Sequence, residues 1–168
     1  LHKEYRRQRQ MCIRDRLASA QIVVHGFVED LDGLLQTMQV AVVPLRFGAG
    51  MKGKVGSALR CGLPVVTTAI GSEGMPAVHG THLLVADHAV AFAEAVSTLL
   101  GSAQQWQHLS EGGLAFAAAE WGPEASLQRL SAILERLGLD VDPAALTTPV
   151  ALYPFDRPHQ SVQPHLRK

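Results

Sequence analysis

Cysteine is scarce. Cys12 and Cys61 are the only two in 168 residues, which argues against a disulfide framework and agrees with a reducing cytoplasm. Long hydrophobic runs are missing too: 47% of the residues are hydrophobic, yet no apolar stretch approaches the ~18 residues that a membrane span needs. The basic residues at the start are followed by no apolar segment, so nothing there reads as a secretory signal. An excess of either charge is absent, since 15 Lys and Arg balance 15 Asp and Glu. That balance excludes the chain as a whole from polyanion binding, and no nucleic-acid partner is expected. What these absences leave is one soluble domain, long enough to bury a sizeable core.

The zero net charge hides an asymmetry. Residues 1–16, "LHKEYRRQRQMCIRDR", hold six Lys and Arg against two acids, and the remainder holds nine against thirteen. No helical or strand period is sustained there. The segment is therefore set apart from the fold as non-native or disordered, rather than read as a basic arm for nucleic acid. Residues 139–168 form a second composition break, with five prolines and no periodicity, and read as a tail or linker. The domain proper is expected over 17–138.

Within it strands and helices alternate. "QIVVHGFV" (21–28) is a β-branched run that predicts a strand, and "EDLDGLLQTM" predicts a short helix with Leu31, Leu34 and Leu35 on one face. "VAVVPL" (40–45) and "LPVVTT" (63–68) are near-continuous apolar runs, as in strands buried on both faces. Between them a helix of about ten residues starts near Lys52, with Val55, Ala58 and Leu59 as its apolar stripe and Gly62 as its stop. "AIGSEGMPAVHG" predicts a glycine-rich loop, "THLLVA" a shorter strand, and Asp87 an N-cap for the helix that follows. In that helix Ala89, Phe92, Ala93, Val96, Leu99 and Leu100 keep a 3.6-residue period. Two further helices are expected: Gln104 to Glu120, burying Trp106 and Leu109, and Pro123 to Leu137, with Leu127, Leu130, Leu134 and Leu137 on its seam. The alternation gives an α/β fold with a Rossmann-like parallel sheet and flanking helices.

The chemistry concentrates in "RFGAGMKGKVGSALRCGLPVV" (46–66). A glycine-rich turn after a buried strand lets backbone N–H groups approach a phosphate, and the following helix adds about half a positive charge at its N-terminus. Lys52 and Lys54 supply mobile cations at the same end. The plain alternative is a tight surface turn whose glycines serve only backbone geometry. Two familiar labels fail in context. The P-loop pattern G-x-x-x-x-G-K is met, but Val55 stands where Mg²⁺ needs a Ser or Thr hydroxyl. The dinucleotide pattern G-x-G-x-x-G is met too, but the next strand ends in Thr67-Thr68 instead of the acid that holds a ribose.

A third reading fits the order of the segments. "GFVEDLDGLL", "VAVVPLRFGAGMKGKV", "ALRCGLPVVTTAIGSEGM" and "HLLVADHAVAFAEAV", spanning 21–138, together resemble the C-terminal, nucleotide-sugar-binding half of a GT-B glycosyltransferase. Within that fold the likeness is to the large bacterial group of retaining, GT4-like (group 1) enzymes. The resemblance implies transfer of a sugar from a nucleotide-diphosphate sugar to a glycan, lipid or other acceptor. It also implies that the acceptor is bound by an N-terminal domain, and this chain is expected to lack both that domain and the first strand or two of its own sheet. The chain alone would then be an inactive piece of a cytoplasmic or peripherally membrane-associated enzyme.

By resemblance, Gly48, Gly50, Met51 and Gly53 lend backbone contacts to the donor diphosphate, and Lys54 holds a phosphate oxygen and acts as the catalytic cation. Family members commonly carry Glu where Ser57 stands, to take the ribose hydroxyls; here the frame Ser57-Ala58-x-x-x-Gly62-x-Pro64-Val65-Val66 remains without the carboxylate. Glu73 is the candidate substitute as ribose partner. No Asp-x-Asp sits on a loop of the expected domain, 17–138, so neither a metal nor a resident cofactor is expected. His79 and His82 form His-x-x-His in a glycine-flanked turn without further ligands and read as solvated loop histidines. His25 reads as a half-buried structural histidine, Cys61 as a small core residue, and Trp106 and Trp121 as anchors between the late helices. A GT-B-type epimerase, an NAD enzyme and a non-catalytic module remain the alternatives, the last because of Ser57.

Overall fold

A computed structural model describes residues 21–48 and 50–139. The expected basic segment (1–16) and nearly all of the expected tail (139–168) lie outside the described residues. The chain divides into two compact units, Leu1–Leu31 and Asp32–Lys168.

Of the first unit residues 21–31 are described, and they correct one expectation. No strand forms over 23–28, and Ile22, Val23 and Phe27 are exposed. A β-branched run becomes a strand only where a neighbour takes up its amides and carbonyls, and among the described residues 23–28 has no paired strand. His25 is accordingly exposed, not half-buried.

The second unit is α/β. The elements over the two units run α1 (Leu31–Gln36), β1 (Ala41–Val43), α2 (Gly53–Arg60), β2 (Val65–Thr67), α3 (Ala69–Ser72), β3 (Leu84–Val85), α4 (Ala89–Gly101), α5 (Ala103–Trp121) and α6 (Pro123–Arg136). The three strands form one sheet in the order β1-β2-β3, and both pairings are parallel. Val42 lies opposite Val66, and Val66 opposite Leu84.

Strand alternation sorts the core. Val65 joins Val43, Val55, Ala58, Leu59, Leu63 and Leu83, while its neighbour Val66 joins Leu84, Leu99 and Leu109 in a separate cluster. Successive side chains point to opposite faces of a strand, so β2 is covered on both. β1 departs from that expectation: Val43 is buried, but Val42 is 53% exposed, because β1 has a paired neighbour on one side only among the described residues.

α2 forms where its apolar stripe predicts, with Val55, Ala58 and Leu59 buried. It ends at Gly62, whose φ of +69° is open to glycine at little cost. There the Gly62 amide donates to Leu59 O and the Leu63 amide to Ala58 O, the paired bonds of a Schellman stop. Arg60 then reaches back to α1, its Nη2 lying 2.6 Å from Asp32 Oδ1.

Three further details differ from expectation. The loop after β2 begins with a short helix, α3, because the Thr68 hydroxyl accepts from the Gly71 amide and caps it. Asp87 does not cap α4; its carboxylate accepts from the Ala69 amide, and His88 takes the N-cap position without a side-chain bond. α6 runs from Pro123 as expected, but its seam is shallow, with Leu130 and Leu137 exposed and no residue of the helix fully buried.

Candidate functional site

All three strands are parallel, so the segments leaving their carboxyl ends lie along one edge of the sheet. These are the glycine-rich loop after β1, α3 with the turn after it, and the Ala86-Asp87-His88 step into α4. Side-chain bonds tie them together. The Thr68 hydroxyl donates to Leu45 O at 2.6 Å, fixing the base of the glycine-rich loop to the end of β2. The Asp87 carboxylate, beyond β3, accepts from Ala69 N at 2.8 Å and so fixes the start of α3. Thr67, fully buried on β2, donates to Val43 O at 3.0 Å.

Above this base the glycine-rich loop stands open. Gly48, Gly50 and Gly53 are exposed, and a Cβ built on any of them would meet nothing within 4 Å. Among the described residues nothing covers these glycines. Gly50 has φ +99°, a conformation that L side chains rarely adopt. Met51, at the crest, is fully exposed. α2 begins two residues later with no side-chain cap; the Val55 amide donates to Lys52 O, while those of Gly53 and Lys54, at the positive dipole end, have no partner among the described residues.

The two lysines separate here, and the sequence does not distinguish them. Lys54 is exposed, with no hydrogen bond or ion pair among the described residues. Lys52 is not the mobile cation expected. Its side chain is only 5% exposed, and its ammonium donates to Gly48 O at 2.7 Å, bracing the loop from inside. The same Nζ lies 3.8 Å from Glu73 Oε2. The structure therefore brings Gly48, Lys52 and Glu73 together and leaves Lys54 outside that group. Lys52 is detectable from sequence only as the residue before α2, where helical phase turns it toward the Val55–Leu59 side.

Ser57 sits half-buried in the third position of the helix after Lys54, and its hydroxyl has no hydrogen bond among the described residues. Glu73 is the C-cap of α3, with its side chain 72% exposed. Gly56, beside Ser57, faces the Trp121 ring, which would stand 3.5 Å from a Cβ built there.

In the histidine turn His79 is exposed, as expected, and His82 is half-buried. His79 Nδ1 accepts from the Val85 amide and His82 Nδ1 from the Val78 amide, and His82 stacks on Phe116 with ring centroids 4.8 Å apart. Both rings thus close the turn before β3. Groups of three or more His, Cys, Asp or Glu suited to a metal are absent among the described residues. Cys61 lies 3.6 Å from Asp32 Oδ1, at the Arg60 pair, instead of deep in the core. Trp106 donates to Gln39 O and so anchors α5 to the entry of β1, while Trp121 meets Phe116 edge-on at 5.4 Å. No described helix is long and apolar enough to cross a membrane.

Comparison with known proteins bears on what this edge is for. No curated protein and no solved structure matches the chain. One family model, described as glycosyl transferases group 1, matches residues 3–102 and so takes in all three strands, the open glycine-rich loop, the uncapped start of α2, and Glu73. On a match covering well over half its length, in a parallel α/β unit with an open loop at the carboxyl edge, the chain belongs to the group 1 glycosyl transferases.

Proposed function

We propose that the chain is the donor-binding, C-terminal part of a GT-B, GT4-like retaining glycosyltransferase. It would hold a nucleotide-diphosphate sugar while the sugar passes to an acceptor. The observation that carries this reading is that Gly48, Gly50 and Gly53, uncovered among the described residues, lead into the uncapped N-terminus of α2 at the carboxyl edge of the sheet. Backbone N–H groups at Gly48, Gly50, Met51 and Gly53 would meet the diphosphate, and Lys54 would reach one of its oxygens. As the bond from the sugar C1 to the diphosphate oxygen breaks, negative charge grows on the leaving group. Fixed donors aimed at that charge lower the barrier, and one well-placed donor is typically worth ~3–4 kcal/mol. Ser57, or Glu73 from the turn after α3, would take a ribose hydroxyl.

A second reading has one observation in its favour. Ser57 offers a hydroxyl where family members commonly have a carboxylate, which would suit a non-catalytic interaction module that holds no nucleotide. Thermal-shift titration with UDP, GDP and NAD separates the readings. A glycosyltransferase donor site is stabilised by UDP or GDP, by about 2.7 kcal/mol at a hundredfold excess over Kd. Stabilisation by NAD alone would assign a dehydrogenase. An unchanged melting point with all three would remove nucleotide binding from the chain.

A further inference from the structure

We propose that the Lys52 ammonium is a second, buried phosphate-binding cation of this edge, and that Glu73 is its exchangeable placeholder, displaced when a diphosphate enters. The inference rests on the donor-binding reading above and changes the role of Glu73 within it.

A lysine ammonium has three N–H donors. In Lys52 one of them goes to Gly48 O at 2.7 Å. Glu73 Oε2, at 3.8 Å, is close enough for attraction and too far for a hydrogen bond. No other acceptor engages this ammonium among the described residues. With its side chain 5% exposed, the charge is largely withdrawn from water and under-supplied with acceptors. An anion bearing several strong acceptor oxygens would meet that need better than one distant carboxylate.

Geometry puts the remaining Lys52 donors where a diphosphate would lie. Lys52 is the N-cap of α2, and its ammonium is bonded to Gly48, so the cation, the helix N-terminus and the open glycines share one corner of the sheet edge. Glu73 arrives from the next segment along that edge. Its side chain is 72% exposed, and Lys52 is its ion-pair partner there. A carboxylate so placed balances the buried charge when no ligand is present and can withdraw to water when one arrives. The exchange is purely ionic: phosphate replaces carboxylate, and no covalent bond changes.

Calorimetric titration of the chain with pyrophosphate, UDP and GDP tests this, using the unmodified protein, Glu73→Gln and Lys52→Met, with melting curves for each. Removing the competing carboxylate should tighten binding of all three ligands by about fivefold, the scale of an exposed ion pair. Lys52→Met should weaken them by more than tenfold. If Lys52→Met melts early, the Glu73→Gln comparison decides alone, since that side chain is exposed. Equal or weaker binding of pyrophosphate by Glu73→Gln overturns the exchange. Weaker binding of UDP or GDP with pyrophosphate unchanged returns Glu73 to the ribose. Binding of none of the ligands by either the unmodified protein or Glu73→Gln would remove the donor reading along with the exchange.

Discussion

Lys52 and Gly48 are joined across the neck of a single loop, ammonium to carbonyl, at 2.7 Å. The contact is local in sequence, but it ties the two ends of a turn that contains Gly50, whose φ of +99° only glycine adopts readily. Lys52→Met keeps an unbranched apolar stem of similar length and removes the brace. Because a buried charge is costly to desolvate, its loss should change global stability by no more than about 1 kcal/mol. Amide exchange at residues 46–51 should nevertheless become faster while exchange in β2 does not. Unchanged loop exchange would show that the ammonium does not hold the loop.

Gly112 is a test of packing between α5 and the turn before β3. A Cβ at this position would lie 2.0 Å from the carbonyl oxygen of Thr81, a backbone atom that cannot rotate away. Gly112→Ala should gain helix propensity of up to ~1 kcal/mol and lose more to the clash, for a net destabilisation of about 1–3 kcal/mol. At Gly101 a Cβ would meet nothing within 4 Å, so Gly101→Ala serves as the control. Equal urea midpoints for the two variants would count against this packing.

The Arg60–Asp32 pair links α2 to α1 with side chains 31% and 29% exposed. Partial exposure discounts its Coulomb energy, and a double-mutant cycle through Arg60→Ala and Asp32→Ala should give a coupling of about 1 kcal/mol. The coupling should shrink in high salt, as expected of charges still reached by water. A cycle that closes to zero would make the contact incidental to stability.

How much of this was legible in the sequence depended on which force decided each element. α2, its stop at Gly62 and the burial of Val55, Ala58 and Leu59 follow from local periodicity and one left-handed glycine, so they could be read directly. The open glycine-rich loop was legible for the same reason. Residues 21–28 carry the composition of a strand, but a strand is a pairing, and composition does not say whether a partner is present. α3 was hidden because its cap, Thr68, lies at the end of a β-branched run that reads as strand. The inequality of Lys52 and Lys54 was invisible for a different reason. Two residues apart near a helix start, one faces the core side and the other water, and only the helix register decides which. The role of Asp87 is not local: its bond crosses 18 residues to Ala69, beyond the reach of a capping rule.

Lys54 is exposed and without a partner among the described residues, which makes it a clean probe. Lys54→Ala should leave stability within about 0.5 kcal/mol, as for other surface substitutions. Affinity for UDP or GDP should fall roughly tenfold, the scale of one charge-assisted hydrogen bond. In a complete homologous enzyme turnover should fall as well, because on the proposed reading the same cation would face charge that grows on the leaving diphosphate. Unchanged affinity and turnover would take Lys54 out of the site.

Ser57→Glu restores the carboxylate that the resemblance leads one to expect. A carboxylate accepts from two ribose hydroxyls at once, whereas the Ser57 hydroxyl, now without a partner among the described residues, can serve only one. Charge-assisted bonds exceed neutral ones by enough to tighten a nucleoside diphosphate about tenfold. Two local effects oppose the gain. Position 57 lies one helical turn from both Lys54 and Arg60, so a new carboxylate could pair with either, but such pairs are worth only ~0.2–0.5 kcal/mol, and Arg60 is already held by Asp32. Neither offsets a tenfold change, which corresponds to about 1.4 kcal/mol. Calorimetry with UDP and GDP should therefore show a tighter complex for Ser57→Glu, while pyrophosphate, which has no ribose, should bind no better. A weaker nucleotide complex would mean that this face of α2 does not look toward the ribose, and the orientation of the donor along the sheet edge would have to be reversed.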